Sequence, residues 1–285
     1  MPNHVTTEVK IDGTQKEIDK FFKLIKTNYE GEDIFDFDNI LPMPEELRGT
    51  RSPMKIISEE EYEKQEKEVA LITRQIAEKK EAGIELTKEE KAKEDFGFSR
   101  NLTQELSDKY LKEFGADNWY DWRIKHWGTK WGAYDANFGD DWLTFQTAWS
   151  HPTVIMLLLG QKFPKLRFEI RFADEDFGYN LAEYVIEGGN VIEENVPKGG
   201  SPEAYKLALD IQGGEDYYLG DRLCEADEDE LENDFIKTLI ELAVERNYIC
   251  EDMPIYVLEK AKEIAIEGEL FEQAKEITEF IENKK

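Results

Sequence analysis

Cysteine is nearly missing from this chain: 285 residues hold two, Cys224 and Cys250, and no C-x-x-C. That excludes a disulfide framework and a cysteine-rich zinc site, and predicts free thiols in a reducing compartment. Histidine is almost as scarce, with three residues and no H-x-x-x-H, H-E-x-x-H or H-x-H-x-D spacing, so neither a metal nor another cofactor is expected. Long apolar runs are missing too. The longest, Val154 to Leu159, falls far short of the roughly 20 residues a membrane helix needs. The opening MPNHVTTEVK has no signal-like apolar stretch, which predicts a soluble, cytosolic protein away from membranes. There is no G-x-S-x-G, and Gly188-Gly189 does not open a helix as a phosphate loop does. No catalytic motif is left, and the chain reads as a non-enzyme.

Positive charge is also short. Lysine and arginine number 36 against 64 acidic residues, a net charge of −28. A field of that sign repels a phosphate backbone, so direct nucleic-acid binding is not expected. A protein with a basic surface is a better partner, and self-association stays open.

Apolar residues are sufficient for a core, at 40% with 12% aromatic. Val5, Val9 and Ile11 alternate as a half-buried strand. Thr14 with Glu17 predicts a capping box, followed by a helix over about Gln15 to Asn28. Ile34 to Phe37 reads as a short strand that completes β-α-β. A second such unit runs through Trp142 to Ala148, a buried helix over about Thr153 to Phe163 with Ser150 as its cap, and a strand at Leu166 to Phe172. Two halves of this kind predict a ferredoxin-like split β-α-β antiparallel sheet. A hairpin turning at Gly188-Gly189 is added to it.

Residues 55–118 read as a helical insertion. Capping boxes at Ser58/Glu61 and Thr87/Glu90 start two charged helices, and a third spans Thr103 to Phe114. Val69, Ile72 and Ile76 form only a narrow apolar stripe. The Pro/Gly/Ser stretch from Val196 to Pro202 predicts a boundary near 198, with an acidic helical region over 199–285. Its helices are expected over about Asp229 to Arg246, Pro254 to Ile266 and Glu269 to Asn283. From Ser201 onward, 24 acidic and 9 basic residues give −15.

All six tryptophans lie between Trp119 and Trp149. If Trp119 to Trp127 is helical, with Asn118 capping and Gly128 ending it, then Trp119, Trp122, His126 and Trp127 share a face. Three readings compete: a structural wedge over the sheet, a ligand pocket and a protein hot spot. In the second, Trp119, Trp122, Trp127 and Trp131 supply walls while Arg123, Lys125, His126 and Lys130 hold a base, nucleotide or sugar. The third follows from the dominance of Trp, Tyr and Arg in such patches.

The strings NWYDWRIKHWGTKW (118–131), FQTAWS (145–150) and FDFDNILPMPEEL (35–47) resemble a family of uncharacterised plasmid-, phage- and pathogenicity-island-encoded proteins of the YubB or Api type. The resemblance covers roughly residues 1–195, leaving out the charged insertion and everything after Ser201. It implies a mobile-element origin and a ferredoxin-like domain. It implies no catalytic residue, and His151 stands where the family pattern leads one to expect proline.

The acidic run 225–234 offers Glu225, Asp227, Glu228, Asp229, Glu230, Glu232 and Asp234 as a partner-binding set. Carboxylates so spaced mimic phosphates in a basic cleft. The function expected first is therefore that of an accessory protein that binds and inhibits a host protein, such as a nucleic-acid-binding or defence protein. The alternatives are a small-ligand or nucleotide-binding (sequestering) protein built on the tryptophan segment, and a metal-dependent hydrolase around His126, His151, Asp135, Asp140 and Asp141.

Overall fold

The computed structural model of the protein describes residues 2–29, 31–212, 219 and 222–284. Its centre is a six-stranded antiparallel sheet of β1 (His4–Asp12), β4 (Tyr134–Phe138), β5 (Trp142–Ala148), β6 (Arg167–Asp174), β7 (Leu181–Glu187) and β8 (Asn190–Asn195). The spatial order is β4-β5-β1-β6-β7-β8. The alternation in β1 does what a period of two requires. Val9 faces the core opposite Leu143 of β5 and Ile170 of β6, while Glu8 and Lys10 face out. Helices α1 (Gln15–Ile25) and α6 (Thr153–Lys162) cover the inner face with Ile18, Phe21, Ile155, Met156 and Leu159.

This is the expected ferredoxin-like arrangement, with one substitution of strand. The pair β5–α6–β6 encloses β1, and β1–α1–β4 encloses β5. The strand expected to close the first half is β3 (Glu32–Phe35), but it pairs only with β2 (Lys26–Tyr29) in a separate two-stranded sheet. Asp36 accepts a hydrogen bond from the Asp38 amide and starts a 3-10 turn, and Pro42 and Pro44 follow, so the chain cannot extend there. β4 takes its place. Its sequence YDANF does alternate, with Tyr134, Ala136 and Phe138 half-buried and Asp135 and Asn137 exposed, but the strand is only five residues long and its pairing with β5 is interrupted between Tyr134 and Asn137.

Local expectations at helix ends divide in the same way. The boxes at Ser58/Glu61 and Thr87/Glu90 are formed in both directions and start α2 (Glu59–Glu81) and α3 (Lys88–Phe96). Thr103 caps α4 (Gln104–Phe114). Thr14 makes no side-chain cap, because Glu17 pairs with Lys20 at 2.7 Å. The Ser150 hydroxyl donates to the Gly128 carbonyl instead of capping α6, whose N-cap is Pro152. Gly188 and Gly189, at φ 58° and 80°, make the β7–β8 turn.

The insertion lies inside the first β-α-β half, and part of it belongs to the main core. Leu102, Tyr110 and Ala116 of the insertion pack in the same cluster as the sheet residues, together with Leu47 before it and Trp122 and Trp127 after it. Helix α2 contributes little: half-buried Tyr62 packs against that core, and Ile76 alone is buried along its 23 residues. Its base is tied by hydrogen bonds from the Arg51 amide to the Arg100 carbonyl and from the Arg100 amide to the Gly49 carbonyl, each 2.7 Å.

Helix α7 (Pro202–Gln212) begins beyond the expected boundary at 198, yet it covers the outer face of the sheet. Ala204, Leu207, Ala208 and Ile211 pack on Ala173 and Leu181. Its Leu209 joins a second core built by α8 (Asp234–Glu245), α9 (Ile255–Glu267) and α10 (Phe271–Lys284). Arg246 pairs with Asp210 at 2.5 Å across the same junction. Among the described residues no helix is long and apolar enough to cross a membrane.

Candidate functional site

Helix α5 (Trp119–His126) is fixed at both ends by local chemistry. The Asn118 side chain accepts from the Asp121 amide at 3.0 Å, and Gly128 at φ 82° follows the C-cap Trp127. The Trp119 amide donates to the Thr50 hydroxyl at 2.9 Å, which itself donates to the Leu47 carbonyl. A relay of edge-to-face rings then ties the helix to the sheet: Phe145 to Phe35 at 5.0 Å, Phe35 to Phe37 at 4.9 Å, Phe37 to Trp127 at 5.6 Å and Trp127 to Trp122 at 5.7 Å. His126 stacks on Trp122 at 4.6 Å with Nε2 3.3 Å from the Phe114 carbonyl, and the Trp127 indole donates to the Leu41 carbonyl at 2.9 Å.

The tryptophan set therefore splits. Trp122 and Trp127, 4% and 2% exposed, are the wedge and cannot wall a ligand. Trp119 and Trp131 line a groove of about 1490 Å³ between the insertion and the sheet. Trp149 and Trp142 are more than two-fifths exposed on the surface. The Lys130 ammonium sits 4.7 Å from both the Trp131 and Trp149 rings.

The groove is basic in an acidic protein. Arg48, Lys80, Lys93, Arg100 and Arg123 line it, against Glu45 and Asp135. Most of these cations are already occupied. Arg48 pairs with Asp38 at 2.8 Å and Glu45 at 2.9 Å, Lys93 with Glu89 at 2.8 Å, and Arg100 donates to the Arg48 carbonyl at 2.7 Å. Arg123 differs. Its guanidinium lies over the Trp119 and Trp127 rings, and its buried Nε has no hydrogen-bond partner among the described residues. Burial pulls it down to about 10, a shift that Asp38 opposes and Arg48 reinforces. Glycine shapes the wall behind it. A Cβ on Gly97, at φ 81°, would stand 2.4 Å from the Gly49 Cα. At the rim, the Tyr134 hydroxyl bonds His4 Nδ1 at 2.7 Å, and burial, with Asp135 and Glu175 adding, pushes that phenol up to about 12.

The sequence reading placed Trp119, Arg123 and Trp131 in one site, and the groove brings them together. It missed Arg48, Arg100, Tyr134 and His4, which come from distant segments. The only local signal was an arginine beside or near a glycine at each end of the insertion, Arg48-Gly49 and Gly97 to Arg100.

The hydrolase set is not gathered. His126 is held in the wedge. His151 is 5% exposed under the sheet, 2.9 Å from the Thr7 hydroxyl, 2.6 Å from the Tyr184 hydroxyl and stacked on Phe172. Among the described residues no group of three histidines, cysteines or carboxylates is placed to hold a metal.

The acidic run is partly structural. Glu230 takes two hydrogen bonds from Arg222, at 2.6 and 3.3 Å, and caps back to the Asp227 amide. Glu225, Asp227, Glu228, Asp229 and Asp234 are exposed, while the Glu232 side chain lies outside the described residues.

Comparison with protein families agrees with the sheet. Residues 126–213 match the family model of the ferredoxin-like domain in Api92-like protein. A crystal structure of protein api92 from Yersinia pseudotuberculosis aligns over 70% of this chain and 99% of its own, at 8% identity and a TM-score of 0.30. No curated protein matches. Over residues 126–213, from the end of α5 through β4 to α7, the chain carries the ferredoxin-like domain of the Api92-like proteins.

Proposed function

We propose that the protein acts by binding, and that the groove takes a small anionic ligand with a planar ring, of which a nucleotide is the natural class. The observation that carries this reading is Arg123: a partly buried guanidinium between two indoles, with no ion pair among the described residues, facing a groove in a protein of net charge −28. A buried cation left without a counter-charge destabilises the empty protein. A phosphate supplies that charge and takes charge-assisted hydrogen bonds from it, while Trp119 offers a stacking face. Sequestering such a ligand suits an accessory protein of a mobile element.

The test is titration of the intrinsic tryptophan fluorescence with AMP, with adenosine and inorganic phosphate as controls. AMP is expected to quench and saturate in the wild type, with adenosine and phosphate each weaker. Arg123→Met should weaken AMP binding by tenfold or more. Equal affinity for AMP and adenosine, or no effect of the substitution, would overturn the reading.

A second reading places a host protein on the exposed carboxylates Glu225, Asp227, Glu228, Asp229 and Asp234. It is supported by their exposure and by the charge of the C-terminal region, and weakened by the commitment of Glu230 to Arg222. Neutralising Asp227, Glu228 and Asp229 should weaken capture of a basic partner and flatten its salt dependence; unchanged capture would end this reading.

A further inference from the structure

The groove is larger than one nucleotide requires, and its walls carry two ring stations. Small-ligand pockets run to roughly 1,000 Å³, and this one reaches about 1490 Å³. Trp119 stands beside Arg123 on helix α5, and Trp131 lies beyond the helix, 36% exposed and edge-on to Tyr134 at 6.4 Å. Both rings line the same groove as the Arg123 guanidinium. The charge available is small, however. Arg48, Lys93 and Arg100 are committed to their own partners, and Lys80 is engaged as well. Among the described residues Arg123 makes only ring contacts. Two stacking faces, with Arg123 the one cation of the described groove lining left without an ion pair or hydrogen bond, fit two bases joined by a single negative charge and fit a triphosphate poorly; Lys130, over the Trp131 ring, is not part of that lining. The strongly negative chain also disfavours a long polyanionic strand.

Resting on the groove reading above, we infer that the ligand is a dinucleotide: two nucleobases joined by a phosphodiester, one base on Trp119, the other on Trp131, and the diester on Arg123. Trp131 then decides between ligands with one base and ligands with two. Stacking on one aromatic ring changes affinity by tenfold or more.

The experiment is calorimetric titration of the full chain with AMP, the dinucleotide ApA, ATP and a longer oligoadenylate. ApA is expected to bind about tenfold more tightly than AMP. Trp131→Ala should bring ApA down towards the affinity of AMP and weaken AMP far less than ApA, while Trp131→Phe, which keeps a ring, should retain most of the advantage. Because Trp131 is partly exposed, an unchanged melting temperature in both variants shows that the fold is intact. Equal binding of AMP and ApA, ATP as the tightest ligand, tighter binding per site of the longer strand, or an equal loss for AMP and ApA in Trp131→Ala would each overturn the inference while leaving the groove reading in place. Binding of none of the four would overturn both.

Discussion

The Arg123 guanidinium lies 4.8 Å from the centre of the Trp127 ring and 5.3 Å from that of Trp119, and among the described residues no carboxylate pairs with it. Trp127 is bound into the core and Trp119 lines the groove, so one arginine joins the structural half of the tryptophan segment to its open half. Cation–π contact contributes about 0.5–2 kcal/mol, and burying an unpaired charge costs more than that unless a ligand compensates it. Arg123→Met, which fills the same space without charge, should leave the stability of the ligand-free protein unchanged or raise it by about 1 kcal/mol in urea denaturation. A loss of several kcal/mol would show that the arginine is needed for folding instead.

His151 gives the fold a dependence on pH. Burial pushes its imidazole down to about 3, while an unfolded histidine titrates near 6.5. Above pH 6.5 both states are neutral and the residue adds nothing. Below it the unfolded chain takes a proton that the folded chain refuses, so stability falls as pH falls from 6.5 toward 3. The slope approaches about 1.4 kcal/mol per pH unit. His151→Gln should flatten urea-denaturation stability between pH 6.5 and 5.3 relative to the wild type. Parallel curves for the two proteins would contradict the assignment.

Gly49 and Gly97 cross where the insertion closes the groove wall, both at positive φ. Gly97→Ala adds a methyl into the Gly49 backbone and should cost about 1–3 kcal/mol as well as weaken AMP binding. Gly83, at φ 66° with nothing near its Cβ position, is the control: Gly83→Ala should show the smaller backbone penalty alone and bind AMP normally. Equal behaviour of the two variants would mean that the crossing does not shape the groove.

Legibility in the sequence followed the range of the forces involved. β1, β5 and β6 were readable because alternation is local, and so were α2 to α5, whose caps Ser58, Thr87, Thr103 and Asn118 act within three residues. The closing strand β4 was not, since its alternation lasts only five residues and an irregularity between Tyr134 and Asn137 breaks its pairing with β5. Within the site, Trp119, Arg123 and Trp131 were visible as neighbours in one motif. Which of the six tryptophans remained open was not visible: that depends on Phe35, Phe37 and Phe145, which meet Trp127 only through the fold.

Trp149 is a bulky residue at φ 71°, held there by its amide donating to the Asn3 carbonyl and its own carbonyl accepting from Asn180. An L-residue costs about 1–2 kcal/mol in that region and glycine almost nothing. Trp149→Gly should therefore be more stable than Trp149→Ala by about 1 kcal/mol in thermal denaturation, although both lose the contacts with Lys130 and Tyr120. The reverse order would mean that the strain is absent in solution.

The groove account stands or falls on whether a ligand's anion reaches Arg123. The most direct measurement follows the Nε–H resonance of Arg123 in nitrogen-15-labelled protein, assigned by its disappearance in Arg123→Met, as AMP is added. The account predicts a saturable shift of that resonance and slower exchange of its proton with water. A resonance that stays unmoved while AMP binds, or while nothing binds at all, would contradict it.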